Sequence, residues 1–422
     1  MVKRVVTAAA VVGVVAANVA ALCWFLLSFR HGAPGLYVYR ADLDVYRLGA
    51  DAWLRGADLY GVLPPLRIGT TMPFTYPPIA AVLFTPLAAM SFTAASLVLS
   101  TTTIVLVAVV LVVTLRALAV RVSWLLVGAL LPVALVTEPV RTTIYLGQVN
   151  VVLMALVVLD CLARNPRWPR GLLVGLAAAV KLTPAVFVLY FLVRGDRKAA
   201  AVAGASFLGA TGLGFLVAGR DSVRYWTSTV FDADRIGGAT RTANQSIRGL
   251  LARLGVESGA VWLVACAALV WLTVVTMRAA VGRPVWTLGV NALGTLPLAP
   301  VSWSHHWAWC VPVLLAAGVH AWRTRTAVTV AAGGLLLFVL SPHWWWPRDH
   351  EWTLARLATG NLYVCFAILA LLAVQAHLRR APAYDERPAS RFQALPRARP
   401  SVPDRTRSRD GFTLRRSRRV RL

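Results

Sequence analysis

The sequence predicts an all-α protein that crosses a membrane several times, and three observations support this fold class. Of its 422 residues, 58% are hydrophobic and only 14% are charged, whereas a soluble domain carries about 25% charged residues. The hydrophobic residues collect in runs close to the length of about 20 residues that a helix needs to cross a bilayer. The basic residues lie mainly in the short connections between runs and at the chain ends, as in helical membrane proteins.

Twelve apolar runs follow one another along the chain. They occupy residues 5–29, 77–91, 97–115, 122–137, 143–163, 171–193, 199–218, 258–279, 285–302, 306–321, 326–341 and 357–377. Helices are the only segments of this kind that satisfy their own backbone hydrogen bonds in lipid. The first run is longer than the apolar core of a signal peptide, which favours a first membrane helix.

Two of these runs differ from the others in ways that affect the topology. Run 77–91 is short and starts at a pair of prolines, and run 171–193 contains Lys181 and Pro184 in its middle. Because a proline inside a helix removes a hydrogen bond and clashes with the preceding turn, we expect both runs to be re-entrant. The sequence therefore predicts about 10–12 transmembrane helices with re-entrant segments.

The arginines and lysines orient these helices. The chain has 43 basic and 17 acidic residues, a formal charge of +26, and short basic loops lie on the cytoplasmic side. With both chain ends placed in the cytoplasm, the extracytoplasmic side receives two long loops, residues about 30–76 and about 219–257. Most acidic residues outside the C-terminal tail then lie on that side, where we expect the active site.

The last segment has a different composition from the rest of the chain. Residues 379–422 contain 14 arginines and four acidic residues and have no apolar period, which is typical of a disordered tail. We therefore divide the chain into an integral membrane domain at 1–378 and a cytoplasmic tail at 379–422. A basic tail near anionic lipid headgroups explains this charge better than nucleic-acid binding does, so we expect no nucleic-acid partner.

Asp42 and Asp44 stand at the beginning of the first long loop, in the string Asp42-Leu43-Asp44-Val45-Tyr46. A carboxylate at a membrane interface beside aromatic residues suits a general base that deprotonates a sugar hydroxyl. The alternative is a helix cap or a solvated loop acid. The local pattern does not separate these two interpretations.

A second group of polar residues lies between two apolar runs, in the stretch Glu138–Asn150. Glu138 and Arg141 can form an ion pair, or Arg141 can hold a phosphate, because its guanidinium matches phosphate geometry. Gln148 and Asn150 fall at the start of a membrane helix, where polar groups are costly unless they have partners or face a wet cavity.

Lys181 is the only lysine deep within an apolar run. An ionisable residue inside the membrane is a functional candidate, and the alternative is a side chain that extends to the inner headgroups. The predicted topology places Lys181 nearer the inner face.

His305 and His306 follow Trp303 at an outer helix junction. Adjacent histidines on a helix point about 100° apart, so a shared metal ion is not expected. Phosphate or sugar binding, with tryptophan stacking on the sugar, is the functional alternative to an interfacial aromatic belt. Asn244 in the second long loop is either a turn residue or, because Gln245 and Ser246 follow it, a match to the N-x-S glycosylation acceptor pattern. The sequence predicts no metal site and no cofactor.

Seven short motifs, in this order along the chain, resemble the motifs of one family of membrane enzymes. They are Asp42-Leu43-Asp44-Val45-Tyr46, Pro73-Phe74-Thr75-Tyr76-Pro77-Pro78, Glu138-Pro139-Val140-Arg141, Gly147-Gln148-Val149-Asn150, Lys181-Leu182-Thr183-Pro184-Ala185, Asn244-Gln245-Ser246 and Ser302-Trp303-Ser304-His305-His306-Trp307. From about residue 40 to about 310 the chain is similar to the GT-C glycosyltransferases of family 87. The resemblance is to the actinobacterial α-1,2-mannosyltransferases that act on phosphatidylinositol mannosides and lipoglycans.

This resemblance implies a polytopic GT-C enzyme that uses a polyprenyl-phosphate sugar on the extracytoplasmic side of the plasma membrane. It implies transfer of mannose from polyprenyl-phosphate mannose to a glycolipid or lipoglycan acceptor, with inversion to an α-1,2 linkage. The partners are then the lipid donor, the glycolipid acceptor and the membrane lipids. The family's catalytic carboxylate maps onto Asp42, with Asp44 as a rival because this sequence has an acid at both positions.

The remaining candidates divide into two groups. We expect donor or phosphate binding from Arg141, Lys181, His305 and His306. We expect further substrate binding from Tyr46, Tyr76, Glu138, Gln148, Asn150, Asn244 and Trp303.

Two other functions are compatible with the same pattern. An arabinofuranosyltransferase that uses polyprenyl-phosphate arabinose has related architecture. A transporter or lipid flippase also has broken helices and buried charges. The sequence shows no paired repeat of the kind that transporters have, and its polar motifs collect on one side, which favours the enzyme.

Overall fold

A computed structural model describes residues 12–16, 18–20, 40–320, 324–346 and 351–380. The expected first membrane helix at 5–29 therefore lies largely outside the described residues, and the tail at 379–422 almost entirely so. The described part is helical, and its only β-type pairing is an isolated bridge between Asn244 and Trp303. The predicted all-α class is confirmed.

Eighteen α-helices are numbered here from residue 41 onward. They are α1 Ala41–Leu54, α2 Pro78–Leu83, α3 Thr85–Ala89, α4 Phe92–Ala117, α5 Trp124–Val136, α6 Glu138–Leu146, α7 Asn150–Leu162, α8 Leu172–Val180, α9 Val188–Val193, α10 Arg197–Val217, α11 Gly219–Thr227, α12 Ile247–Arg253, α13 Gly259–Ala279, α14 Pro284–Thr295, α15 Cys310–His320, α16 Arg325–Leu340, α17 Leu354–Gly360 and α18 Leu362–Arg380. Short 3-10 segments at Thr183–Phe187, Ser304–Trp309 and Pro342–Trp344 connect some of them.

Five helices in the described part are long and apolar enough to cross a membrane: α4, α10, α13, α16 with the turn that follows it, and α18. A sixth arises if α5 and α6, which meet at an angle of 74°, form one broken span. Within the described residues, this criterion does not reach the predicted number of about 10–12 transmembrane helices, because several apolar runs are divided into shorter helices. The described helices nevertheless form a polytopic helical membrane protein.

The predicted interruptions coincide with real breaks in the helices. Run 77–91 consists of the two short helices α2 and α3. Run 171–193 divides into α8, the 3-10 segment Thr183–Phe187 and α9. Proline occupies the first turn of the 3-10 segment, where its missing N–H costs nothing.

The core centres on α7 and α14, most of whose residues are buried. By contrast, only 17% of the apolar window of α10 and 22% of that of α13 are buried. Exposed apolar helix faces of this size are expected where a helix contacts lipid. The buried helices α7 and α14 therefore form the frame against which the polar loops are placed.

Asp160 fixes the start of α8 from the neighbouring helix α7. Its fully buried carboxylate accepts hydrogen bonds from the backbone N–H groups of Gly171 and Val174 and from the indole of Trp168. The two backbone N–H groups are among the unpaired donors that every helix N-terminus leaves. The bonds fix α8, whose C-terminal end carries Lys181.

Candidate active site

Helix α1 carries both carboxylates of the first motif in its first turn, where the helix dipole favours negative charge. Asp42 and Asp44 are two residues apart and thus about 200° apart around the helix. They consequently face different surroundings. Asp42 is partly exposed, whereas Asp44 is buried.

Asp44 contacts the loop that follows α1. Its carboxylate accepts a hydrogen bond from the backbone N–H of Arg67 at 3.2 Å and pairs with the Arg67 guanidinium at 3.9 Å. Buried carboxylates with such partners commonly hold a loop in place. Asp44 therefore shapes the first loop.

Asp42 has a different environment. Burial raises the pKa of its carboxyl group to about 6, against the lowering effects of a hydrogen bond with Gln148 and the charge of Lys181. A carboxyl group with a pKa near the working pH is suited to accept a proton from a hydroxyl group.

Behind Asp42 lies a buried group made of Tyr46, Tyr76 and Gln148. The Tyr46 and Tyr76 hydroxyls donate to Gln148 Oε1 at 2.7 and 3.2 Å. The two phenol oxygens are 2.9 Å apart. We refer to these three side chains as the tyrosine–glutamine network.

The turn Gly147–Val149 explains why the motif Gly147-Gln148-Val149-Asn150 has this order. Gly147 ends α6 in the left-handed conformation, at φ +69°, which glycine adopts without strain. A Cβ atom there would lie 2.8 Å from Leu43 Cβ on α1. The glycine therefore lets the turn pack directly on α1, which brings Gln148 to Asp42.

Lys181 lies at the break after α8, in an extended conformation. Its Nζ donates to Asn150 Oδ1 at 3.0 Å and is 3.2 Å from His306 Nε2. It also lies 5.4 Å from the centre of the Tyr76 ring. The structure thus brings Lys181 to His306, although the predicted topology had placed it nearer the inner face.

His305 and His306 begin the 3-10 segment Ser304–Trp309, with their ring centres 4.8 Å apart. The backbone oxygen of His305 accepts hydrogen bonds from Thr143 and Asn150. The His305 ring is buried, and its Nε2 has no hydrogen-bond partner within the described part of the chain. His306 is the more accessible of the two.

Glu138 connects the histidine segment to the C-terminal helices. Its buried carboxylate accepts hydrogen bonds from Ser304 at 2.7 Å, Trp344 at 3.0 Å and Tyr363 at 3.0 Å, and from Thr142. The expected alternative, an ion pair between Glu138 and Arg141, does not form between these two described residues. Its contacts make Glu138 a support for the site.

Arg141 is one turn further along α6 and is half-buried. Among the residues that the structure describes, its guanidinium has no ion-pair or hydrogen-bond partner. A guanidinium in this state has the geometry to pair with a phosphate or a carboxylate through two hydrogen bonds.

Asn244 and Trp303 connect two loops. The Asn244 side chain donates to the carbonyl groups of Ala239 and Pro300 and accepts from the N–H of Ser302 at 3.0 Å. Asn244 is fully buried, and Trp303 is partly exposed. Asn244 therefore holds the loop that presents the two histidines.

Sequence reasoning missed several supporting residues. Tyr363 and Trp344 bind Glu138, and Arg40, just before α1, donates to the carbonyl of Ile144. Tyr363 and Trp344 are distant in sequence from every motif, and no local pattern signals their contact. Arg40 was signalled only by its position two residues before Asp42.

The accessible side of the cluster is formed by Asp42, Lys181 and His306, which are all partly exposed. Buried residues behind them provide hydrogen bonds. No group of three metal-binding side chains occurs in the described ranges. A base next to several cationic or hydrogen-donating groups can deprotonate one reactant and stabilise negative charge on another.

Comparison with known proteins gives a consistent result. The family model of glycosyltransferase family 87 matches residues 74–300. This range includes Tyr76, Arg141 and Lys181, whereas Asp42 and the two histidines lie outside it.

Two curated relatives share the name polyprenol-phosphate-mannose-dependent alpha-(1-2)-phosphatidylinositol mannoside mannosyltransferase. The protein from Mycolicibacterium smegmatis is 42% identical over 371 residues, 81% of this chain and 84% of that protein. The protein from Mycobacterium tuberculosis is 42% identical over 360 residues, 79% of this chain and 84% of that protein.

A third relative, from Mycolicibacterium smegmatis, is named for a phosphatidylinositol pentamannoside substrate. It is 37% identical over 348 residues, 78% of this chain and 83% of that protein. No solved structure matches the chain significantly.

Proposed function

The chain belongs to glycosyltransferase family 87, and on this basis we propose that it transfers mannose from polyprenyl-phosphate mannose to a phosphatidylinositol mannoside. The transfer inverts the anomeric centre and forms an α-1,2 linkage. It takes place on the extracytoplasmic side of the plasma membrane. The same activity toward larger lipoglycans of the cell envelope is part of this proposal.

One observation supports the proposal most strongly. Asp42, Lys181 and His306 come from segments far apart in sequence, and they lie around one partly exposed site. A lipid-phosphate sugar contains its own leaving group, so the enzyme needs a base and phosphate-binding groups but no nucleotide-binding fold.

In the proposed reaction, Asp42 accepts the proton of the acceptor hydroxyl as its oxygen attacks the anomeric carbon. The bond between that carbon and the phosphate oxygen breaks, and polyprenyl phosphate leaves with the bonding electrons. A β-linked donor then gives an α-linked product.

The leaving phosphate gains negative charge during this step. Lys181 and Arg141 stabilise that charge electrostatically, and His306 can donate a hydrogen bond. Asn150 orients Lys181 through the 3.0 Å contact, and His305 anchors the turn through its backbone oxygen. Tyr46 and Gln148 lie behind Asp42, and Tyr76 lies beside Lys181.

The test is an assay of purified protein in nanodiscs with a phosphatidylinositol mannoside acceptor. Polyprenyl-phosphate mannose should give a product one hexose heavier by mass spectrometry, with an α-1,2 linkage by glycosidase digestion. Polyprenyl-phosphate arabinose should give no product. Transfer of the pentose alone would replace this proposal with the arabinosyltransferase, and transfer of neither sugar would refute both.

A further inference from the structure

Arg235 of the second long loop connects this loop to the first one. Its guanidinium donates from Nη2 to the carbonyl oxygen of Tyr60 at 2.8 Å and from Nε to that of Phe74 at 3.4 Å. A guanidinium only donates and a carbonyl oxygen only accepts, so both bonds have a single possible direction. Arg235 lies in the 3-10 turn Asp234–Ile236. This turn is therefore bound to the backbone of the first loop.

Phe74 connects this contact to helix α1. Its fully buried ring packs on Gly49 of that helix so closely that a Cβ atom at Gly49 would lie 2.3 Å from the ring. Asp42 stands about two turns earlier on the same helix. Arg235 thus binds a segment that packs directly against the helix of the proposed base.

Gly237, the residue after the 3-10 turn, contacts the histidine segment. Its φ is +135° and its ψ is 167°, a backbone conformation that essentially only glycine adopts. A Cβ atom there would lie 2.8 Å from Cζ2 of the Trp303 indole, so the glycine backbone lies directly against this ring. Trp303 immediately precedes the 3-10 segment Ser304–Trp309, which carries His306.

The backbone around Trp303 is fixed without the help of the indole. The N–H of Gln245 donates to the carbonyl of Ser302 at 2.7 Å, and the N–H of Ser304 donates to the carbonyl of Ala243 at 2.8 Å. The main chain therefore holds the histidine segment whichever side chain stands at position 303. The partly exposed indole has an apolar face of the kind that packs against a sugar ring.

Residues 234–237, which we call the strap, therefore contact two segments that lead to the reaction centre. One contact leads to α1 and its base, and the other leads to His306. We propose that the strap forms the acceptor side of the site, with Arg235 as a positioning residue and the Trp303 indole as the platform for the acceptor sugar. This inference rests on the proposed function.

The chemistry of the two substrates assigns the strap to the acceptor. The donor brings a phosphate, for which Lys181, Arg141 and His306 are the proposed partners, and a lipid chain that requires apolar surroundings. The acceptor brings a glycan that extends from Asp42 into water, and the strap joins the two long polar loops. An indole face makes apolar contact with the C–H groups of a sugar and has no positive charge for a phosphate.

Arg235→Ala removes both bonds to the first loop and should release the strap. We expect the KM for the phosphatidylinositol mannoside acceptor to rise about tenfold, as for the loss of hydrogen bonds from a charged donor. The KM for polyprenyl-phosphate mannose, and the hydrolysis of this donor measured without acceptor, should stay unchanged. Arg235→Lys keeps a cationic donor near the two carbonyls and should recover part of the acceptor affinity.

Variants of the other contact test the platform. Gly237→Ala places a Cβ atom against the indole, and Trp303→Ala removes the ring. Each should raise the acceptor KM, with a smaller change in kcat at saturating acceptor, and Trp303→Phe should give an intermediate value. Thermal midpoints identify the folded variants. If Arg235→Ala does not fold, Trp303→Ala decides the question, and an unchanged acceptor KM in that variant overturns the inference.

Arg224→Ala is the matched control. Arg224 also connects the second long loop to the first, through a hydrogen bond to the Asp58 carboxylate at 2.6 Å, but it lies on α11 and outside the strap. The side chains of this pair are 45% and 43% exposed, and exposed pairs contribute little to stability. The control should keep the acceptor KM of the unmodified protein. An equal rise in both arginine variants would assign the effect to general contact between the loops and overturn the role of the strap.

The outcomes separate the inference from the proposed function. If the unmodified protein transfers mannose and folded Arg235→Ala keeps its acceptor KM, the strap has no role and the proposed function stands. If the unmodified protein transfers no mannose, the proposed function fails and the inference fails with it. A rise in the donor KM instead of the acceptor KM would place the strap on the donor side and overturn the inference. A rise in the acceptor KM alone supports both.

Discussion

At the scale of single residues, Asp42 and Lys181 each lie beside polar side chains that hydrogen-bond with them. Asp42 has Gln148 as a hydrogen-bond partner, and Lys181 has Asn150 and His306. Polar groups in an apolar surrounding are costly unless they are partnered in this way. The partly exposed members of these pairs remain accessible to a substrate.

The raised pKa of Asp42 predicts a specific pH profile. The base works only when ionised, so kcat/KM should fall as the pH drops through about 6 and should be constant above it until another group titrates. An aspartate with an ordinary pKa of 3.8 would remain active well below that pH. Initial rates measured across this range check the prediction, with tryptophan fluorescence as a control for folding. A plateau that extends down to pH about 4 would contradict it.

The sequence motifs indicated most of the side chains that lie together at the candidate site, but not the contacts that each of them makes. The motifs pointed to Asp42, Gln148, Asn150 and both histidines. The resemblance favoured Asp42 but left Asp44 as a rival, because the two acids share the same local context and only the direction of α1 separates their surroundings. Glu138 was a candidate for substrate binding, and the structure surrounds it with four hydrogen-bond donors from distant segments and its own helix.

At the scale of elements, residues of the candidate site lie at the breaks between helices. The end of α8 at Val180 exposes Lys181 to Asn150, and the bend between α5 and α6 places Glu138 at a helix start. Proline and lysine inside apolar runs indicated such breaks in the sequence. The angle of 74° was not predictable, because it depends on the helices against which α6 packs.

Close packing of α8 on α10 predicts a large effect at Gly171. A Cβ atom there would lie 1.9 Å from the carbonyl oxygen of Ala199 on α10, and φ is +96°. Gly171→Ala should therefore force the two helices apart and lower the thermal midpoint in detergent. It should also reduce turnover, since α8 holds Lys181.

Gly195→Ala is the matched control for this effect. Gly195 also has a positive φ, +78°, but no atom lies within 4 Å of the position that a Cβ atom would take there. A left-handed backbone alone costs about 1–2 kcal/mol. Equal losses of stability in the two variants would show that the contact between α8 and α10 is not the cause.

At the scale of the whole molecule, the charges and the lipid-facing helices are consistent with one orientation in the membrane. Basic residues dominate the short connections between helices. The long loops near residues 30–76 and 219–257 contain most of the acidic residues that lie outside the C-terminal tail. The number of membrane crossings was harder to predict than the fold class. A run of apolar residues does not reveal whether its helix continues or breaks.

The proposed topology predicts opposite labelling of two exposed positions. Asp232 lies in the second long loop and Arg167 in the connection between α7 and α8. In intact cells a membrane-impermeant maleimide should label Asp232→Cys, and it should label Arg167→Cys only after permeabilisation. The unmodified chain gives the background from its own cysteines. Labelling of Arg167→Cys in intact cells would place that connection on the extracytoplasmic side and contradict the topology.

The central claim is that Asp42 is the base of a mannosyl transfer, and a comparison of two variants of α1 tests it most directly. Asp51 is a partly exposed acid of the same helix that pairs with Arg55 one turn away, so Asp51→Asn controls for the chemical change itself. Turnover is measured with polyprenyl-phosphate mannose and a phosphatidylinositol mannoside, and folding is checked by thermal midpoint. We predict that Asp42→Asn loses at least about a hundredfold in kcat while Asp51→Asn stays near the unmodified rate. Near-normal turnover in folded Asp42→Asn would contradict the account.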